Sequence, residues 1–222
     1  MGALLRLLFA ALFAALFIIA LFFVAASALG SIAFNPESKA WRELLAKLRA
    51  RIGPKTEGFA VLDAETLSHL SLKPKIVKKA TWRDSVIEGS FGTIYQEQML
   101  VFAGQKLGKT AAWVLQGAQH EYVFRKKAKE TEIWRDGLPY AVFLGNNLLE
   151  AGKNGRLLAQ LGHDPELRQW PVLMGSSEAA TMTNEERAVS PIPRAFTLLR
   201  PLTPEEAETL VLLCVLKSLE KI

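Results

Sequence analysis

The stretch with the most chemical promise is Ala103-Gly104-Gln105-Lys106-Leu107-Gly108-Lys109-Thr110, a small residue, four spacers and then Gly-Lys-Thr, following the apolar run Met99 to Phe102. In a phosphate loop the backbone amides would cradle phosphates, Lys109 would reach the terminal ones and Thr110 would hold magnesium. That chemistry needs a helix directly after Thr110. Trp113-Val114-Leu115-Gln116-Gly117 has strand character instead, Ala103 stands where the stricter pattern has glycine, and no later apolar run ends in an Asp. The motif reads as a Gly-containing hairpin loop with solvated lysines.

Other reactive side chains are isolated from one another. His69, His120 and His163 are scattered, so they supply no histidine cluster, and the single cysteine, Cys214, excludes an internal disulfide framework and a Cys-based zinc site. Glu205-Glu206 suit the first turn of a helix and Glu185-Glu186 a polar connection. Ser90 in Gly89-Ser90-Phe91-Gly92 lacks the spacing of a nucleophile elbow, and Asp63-Ala64-Glu65 has no third oxygen donor for calcium. The reading therefore assigns no catalytic residue, no metal and no cofactor, and the chain is expected not to be an enzyme.

Basic runs are more substantial. Lys73, Lys75, Lys78 and Lys79 precede Trp82-Arg83, and Arg125, Lys126, Lys127 and Lys129 precede Trp134-Arg135. They serve either as solvated strand edges that block sheet aggregation or, on an anchored domain, as groups facing anionic lipid at roughly 1 kcal/mol per Lys or Arg. The chain has 222 residues with 27 Lys and Arg against 22 Asp and Glu, a net charge of +5. That excess is too mild, and the aromatic pattern too unlike any nucleic-acid module, for nucleic acid to be a partner.

Composition divides the chain into residues 1–30, 31–56 and 57–222. From Leu7 to Leu29 there is no charge, and at 1.5 Å per residue such a helix is long enough to cross a hydrocarbon core of roughly 30 Å. The reading is an uncleaved single-pass anchor, with a signal peptide cleaved near Ala26-Ser27-Ala28 as the competing view. Lys39, Arg42, Lys47 and Arg49 outweigh Arg6 and the terminal amine, which places the soluble part in the cytoplasm.

Asn35-Pro36-Glu37 predicts a helix from Pro36 to Ile52. Trp41, Leu44, Leu45, Leu48 and Ile52 form one apolar stripe. Two uses fit: docking on the domain, or lying on anionic headgroups, in which case Trp41, Arg42, Lys47, Arg49 and Arg51 are the lipid-surface candidates. From Glu57 to Glu185 short apolar runs alternate with turn dipeptides. The runs begin with Phe59 to Leu62 and Ile76 to Val77, include Thr93 to Gln96, and end with Glu178 to Met182. Asp136-Gly137 and Gly152-Lys153-Asn154-Gly155 are hairpin connections. Thr203-Pro204-Glu205-Glu206 opens a helix over 204–220 whose middle, Leu210 to Leu216, is apolar on every face and must be buried all round. The expected domain is β-rich, all-β or α+β: an antiparallel β-barrel or sandwich with a buried C-terminal helix.

This order of elements, with Pro193-Arg194-Ala195-Phe196-Thr197-Leu198-Leu199 as a strand feeding the last helix, resembles the tubby C-terminal-like superfamily of tubby proteins, phospholipid scramblases and LURP-one-related proteins. The resemblance covers Glu57 to Ile222 and carries over no functional residue. It implies a barrel around the last helix and lipid-facing or membrane-tethering work. The expected function is a single-pass membrane protein whose β-rich domain binds an anionic lipid surface or tethers a partner there. The alternative is an accessory structural subunit of a membrane complex, which the close-packing spacing Ala10, Ala14 and Ala11, Ala15 permits.

Overall fold

The computed structural model describes residues 16–17, 34–53, 58–81, 84–153 and 155–222. The expected anchor, Leu16 and Phe17 apart, lies outside the described residues, as do Trp82, Arg83 and Asn154. Among the described residues no helix is long and apolar enough to cross a membrane. The chain divides into two compact units, Met1–Leu44 and Leu45–Ile222.

In the first unit, Asn35 makes a turn rather than a helix cap: its side chain accepts from the Glu37 amide at 3.2 Å and its carbonyl accepts from the Ser38 amide at 3.0 Å. Ser38 then supplies the cap, its hydroxyl accepting from the Trp41 amide at 3.0 Å. The helix α1 accordingly runs Lys39–Ile52, three residues shorter at its start than the sequence predicts. Trp41 is buried, its ring centroid 6.1 Å from that of Phe34.

The second unit is a β-rich antiparallel sheet with a C-terminal helix. Its strands are β1 (Lys75–Lys78), β2 (Val86–Gly92), β3 (Gln98–Leu107), β4 (Thr110–Gly117), β5 (Glu121–Lys127) and β6 (Glu130–Arg135), then β7 (Leu138–Leu144), β8 (Asn147–Glu150), β9 (Leu157–Leu161), β10 (Gln169–Met174), β11 (Ser177–Thr183) and β12 (Phe196–Leu198). Each pairs antiparallel with the next in chain order. A short helix, α2 (Ala64–Ser68), precedes them, capped by Asp63, whose carboxylate accepts from the Thr66 amide. The segment His69–Leu72 hydrogen-bonds on both sides. Ser71 N donates to Gly92 O and Ile94 N to His69 O beyond β2, while Leu72 N donates to Pro193 O and Ala195 N to Leu70 O ahead of β12.

A meander turns alternately at two ends. The β3–β4, β5–β6 and β7–β8 hairpins lie at one, here the first end; the β4–β5, β6–β7 and β8–β9 connections lie at the second. The nucleotide-loop pattern is the β3–β4 hairpin, with Leu107 opposite Thr110 and Gly108 at φ +61°. Asp136 and Gly137 both take positive φ, +52° and +82°, as the right-handed strand twist asks of a two-residue hairpin. A side chain on Gly104 would run into the Trp113 indole, so only glycine allows that ring to lie across β3.

The last helix, α3 (Pro204–Lys221), starts with a full capping box: Thr203 Oγ1 accepts from the Glu206 amide, and Glu206 returns the bond to the Thr203 amide. Every residue from Thr209 to Leu216 is buried. These side chains share one core with Phe102, Trp113, Phe124, Phe143, Val172 and Phe196 from across the sheet. Seating is specific as well as apolar, since the Ser218 hydroxyl donates to Leu72 O at 2.8 Å.

The other face of β2–β5 is also covered. Val86, Val101, Val114 and Val123 alternate with core residues yet are buried. So are Leu45, Leu48 and Ile52 of α1, and Arg49 and Arg51 tie that stretch to Glu121 and Asp84 at 2.7 Å each. At about 25 cal/mol per Å², burial of Leu45, Leu48 and Ile52 beside those ion pairs stabilises this part of the second unit.

Two expected strands are not strands. Phe59 to Leu62 is extended chain held by a bond from Ala60 N to Gln98 O at 2.7 Å. Thr93 to Gln96 is a turn, with Gln96 at φ +69° and the Thr93 hydroxyl accepting from the Tyr95 and Glu97 amides. At Thr93 local hydrogen bonds close a turn, and at Ala60 a bond to Gln98 stands in place of a strand ladder.

Candidate functional site

The lipid-surface candidates of the sequence separate into two groups. Arg49 makes a two-pronged contact with Glu121, Nε to Oε2 at 2.9 Å and Nη2 to Oε1 at 2.7 Å, and Arg51 faces Asp84 and Glu88. Hydrogen bonding from Lys78, with the Val86 amide and Arg51 adding to it, holds the Asp84 carboxyl down at about 2. Trp41 is buried. Arg42 and Lys47 are exposed and have no carboxylate partner among the described residues. Of the five, only these two are left free to meet another surface.

The first end of the sheet gathers what the sequence reading kept apart. Lys106 and Lys109 come from the nucleotide-loop pattern, Lys126 and Lys129 from the second basic run. The register sets Lys106 opposite Ala111 and Ala111 opposite Lys126, so the two lysines flank one small residue on the same face. That row continues through Thr131 to Phe143, a core residue, so Lys106 and Lys126 lie on the inward row. Burial, with the adjoining Lys126 charge, pulls the Lys106 ammonium below the usual lysine range. None of Lys106, Lys109, Lys126 and Lys129 has an ion-pair partner among the described residues. Lys127 reaches Glu132 at 3.6 Å, and Arg125 pairs with the same carboxylate. Leu107 and Leu144, at the β3–β4 and β7–β8 tips, are 42% and 49% exposed. Unpaired ammonium groups beside exposed leucines match the two components of an anionic interface, phosphate and hydrocarbon.

The second end is ordered differently. The Tyr122 hydroxyl donates to Glu208 Oε1 at 2.6 Å, and Arg135 Nη1 donates to both oxygens of Glu208 at 3.1 and 2.9 Å. The Arg135 guanidinium lies 4.3 Å over the Tyr140 ring. Burial and the Glu208 carboxylate push the Tyr122 hydroxyl well above the usual tyrosine range, which keeps it a hydrogen-bond donor to Glu208. His120 Nδ1 lies 2.6 Å from Asp136 Oδ2, while Asp136 Oδ1 accepts from the Glu121 amide. This set resembles two members of a hydrolytic triad, but among the described residues no Ser, Thr or Cys lines the adjoining cavity. Among the described residues no three His, Cys, Asp or Glu side chains gather as a metal site.

Sequence reasoning missed the Tyr122–Arg135–Glu208 cluster, because Glu208 lies 86 positions from Tyr122 and 73 from Arg135. The lysine tips were within reach: the nucleotide-loop pattern and the second basic run each lie at a hairpin turn, are separated by two strands, and so sit side by side in a meander. Compared with protein-family models, curated proteins and solved structures, the chain matches none.

Proposed function

We propose that this is a single-pass membrane-anchored protein whose β-rich domain, a barrel closed around α3 in the manner of the tubby C-terminal-like superfamily, binds anionic lipid headgroups through the β3–β4 and β5–β6 tips. The observation that carries the reading is the group of four unpaired lysines at neighbouring tips, next to exposed Leu107. At roughly 1 kcal/mol per Lys near an anionic surface, four are enough to hold a tethered domain against headgroups. The anchor expected over Leu7 to Leu29 and a cytoplasmic domain fit this use, since anionic lipid is enriched in the cytoplasmic leaflet. Of the candidates on α1, only Arg42 and Lys47 are left to add to it. The test is hydrogen exchange of the full chain in nanodiscs of neutral and of partly anionic lipid. Residues 106–110 and 126–130 should exchange more slowly in anionic discs at low salt and lose that protection near 0.5 M, where screening shortens the Debye length to a few ångströms. Equal exchange in both discs at low salt would remove the reading.

A second reading, an accessory subunit of a membrane complex, is favoured by one feature. Val142, Leu149 and Leu157 lie opposite one another across β7, β8 and β9, on the face away from the core. Val142 and Leu149 are half-buried and Leu157 exposed, an apolar row of the kind that suits a protein partner. A stoichiometric integral-membrane partner that survives mild detergent and is lost on Leu149→Ser with Leu157→Ser would favour it.

A further inference from the structure

A cavity of about 500 Å³ opens at the second end, between the β4–β5 connection and the first turns of α3. Its apolar wall is Leu62, Met99, Leu100, Val211 and Leu212, and its polar side is Gln119, His120, Tyr122, Arg135, Glu205 and Glu208. The size is that of a site for a drug-sized molecule or a single alkyl chain. One side of the mouth is the extended segment at Ala60 to Leu62, where Val61 is 66% exposed. Ala60 and Leu62 pack against the core, so Val61 at the mouth is the side chain of this segment that leaves hydrocarbon in water.

Charge decides which head group fits. Among the described residues two carboxylates line the cavity against one guanidinium, and that guanidinium already serves Glu208 with its edge and Tyr140 with its face. Glu205 has no cation in ion-pair range among the described residues and faces both this cavity and a neighbouring one lined by Tyr140 and Thr209. An anionic head would meet a carboxylate that no cation pairs among the described residues, whereas a cationic head would pair with it. We infer that this cavity binds a small apolar cation, an amine or quaternary ammonium on a hydrocarbon body, with its charge at Glu205 and its body against Met99 and Val211. Such a ligand enters at the end opposite the lysine tips, so binding here is independent of the lipid reading.

The test uses the full chain in nanodiscs with methyl-labelled methionine. The chain has four methionines, and of these Met99 lines the cavity while Met182 lines a separate hollow at Trp170 and serves as internal control. Three probes of one shape are titrated: 4-butylbenzylamine, 4-butylbenzyl alcohol and 4-butylbenzoate. The amine should shift the Met99 methyl but not that of Met182, and should half-saturate at a concentration at least about fivefold below the alcohol, with the benzoate weakest. Glu205→Gln, an exposed change, should abolish the gap between amine and alcohol and leave the alcohol titration unchanged. A Met99 methyl unmoved by all three probes, a benzoate that binds as tightly as the amine, or a preference that survives Glu205→Gln would each overturn the assignment.

Discussion

The two ends of the sheet are made of the same hairpins and treat charge in opposite ways. At the second end cations meet carboxylates: Arg135 with Glu208, Arg49 with Glu121, Arg156 with Glu150 and Arg200 with Glu206. At the first end Lys127 and Arg125 share Glu132, while Lys106, Lys109, Lys126 and Lys129 have no ion-pair partner among the described residues. Pairing at the second end has a structural purpose, because Glu208 and Glu206 belong to the first turns of α3 and their partners fix where that helix enters. Unpaired charge at the first end has none, and like charges two strands apart cost stability that only an external anion offsets. Charge that lowers stability without packing benefit marks a contact surface better than charge density does.

The largest effect is expected from α3 itself. Leu213→Asp places an unpaired carboxylate in the shared core, at a cost of several kcal/mol or a forced protonation, and should leave a chain without a cooperative melting transition by circular dichroism. A variant that melts as sharply as the parent would show that the helix is not central to either end. Next comes the paired end: Arg135→Ala strips Glu208 of two hydrogen bonds and should lower stability by about 1–3 kcal/mol in urea titration.

Acid should erode the same end. Hydrogen bonding from Arg200, then from the Thr203 amide, holds the Glu206 carboxyl at about 2, below its ordinary value of 4.5. A carboxyl depressed on folding stabilises fully above the unfolded value and loses that contribution as pH falls from about 4.5 through 2. Glu206→Gln should therefore be less stable than the parent at neutral pH, and the two should converge toward pH 2; parallel curves would show that the pair contributes nothing. The smallest effect on folding belongs to the first end. Replacing Lys106, Lys109, Lys126 and Lys129 together by Gln should leave the melting temperature unchanged or slightly raised while removing protection in anionic discs. A drop of several degrees would mean that these lysines are structural and the contrast between the ends false.

Several elements were legible from neighbouring residues alone. The Thr203 to Glu206 capping box, the Asp136-Gly137 hairpin and the all-round apolar run Leu210 to Leu216 are each complete within a few positions, and each stands where the sequence puts it. Alternation and turn spacing were enough for a β-rich antiparallel domain with a C-terminal helix, because period and turn chemistry are local properties of the chain. The start of α1 was not, since Asn35 and Ser38 are both competent caps and the Asn35-Pro36 turn decides between them.

The sites were decided by tertiary structure. Arg49 finds Glu121 across 72 positions and Tyr122 finds Glu208 across 86, and no local pattern encodes such pairs, because they depend on the summed register of every strand between them. The same register brings the Gly-Lys-Thr loop pattern and one basic run to adjoining tips and places the Phe59 to Leu62 run, an expected strand, at the mouth of a cavity. The sequence determined the capped helices and the hairpins whose signals are local; only folding decided which charges would be neutralised and which would be left without an ion-pair partner among the described residues.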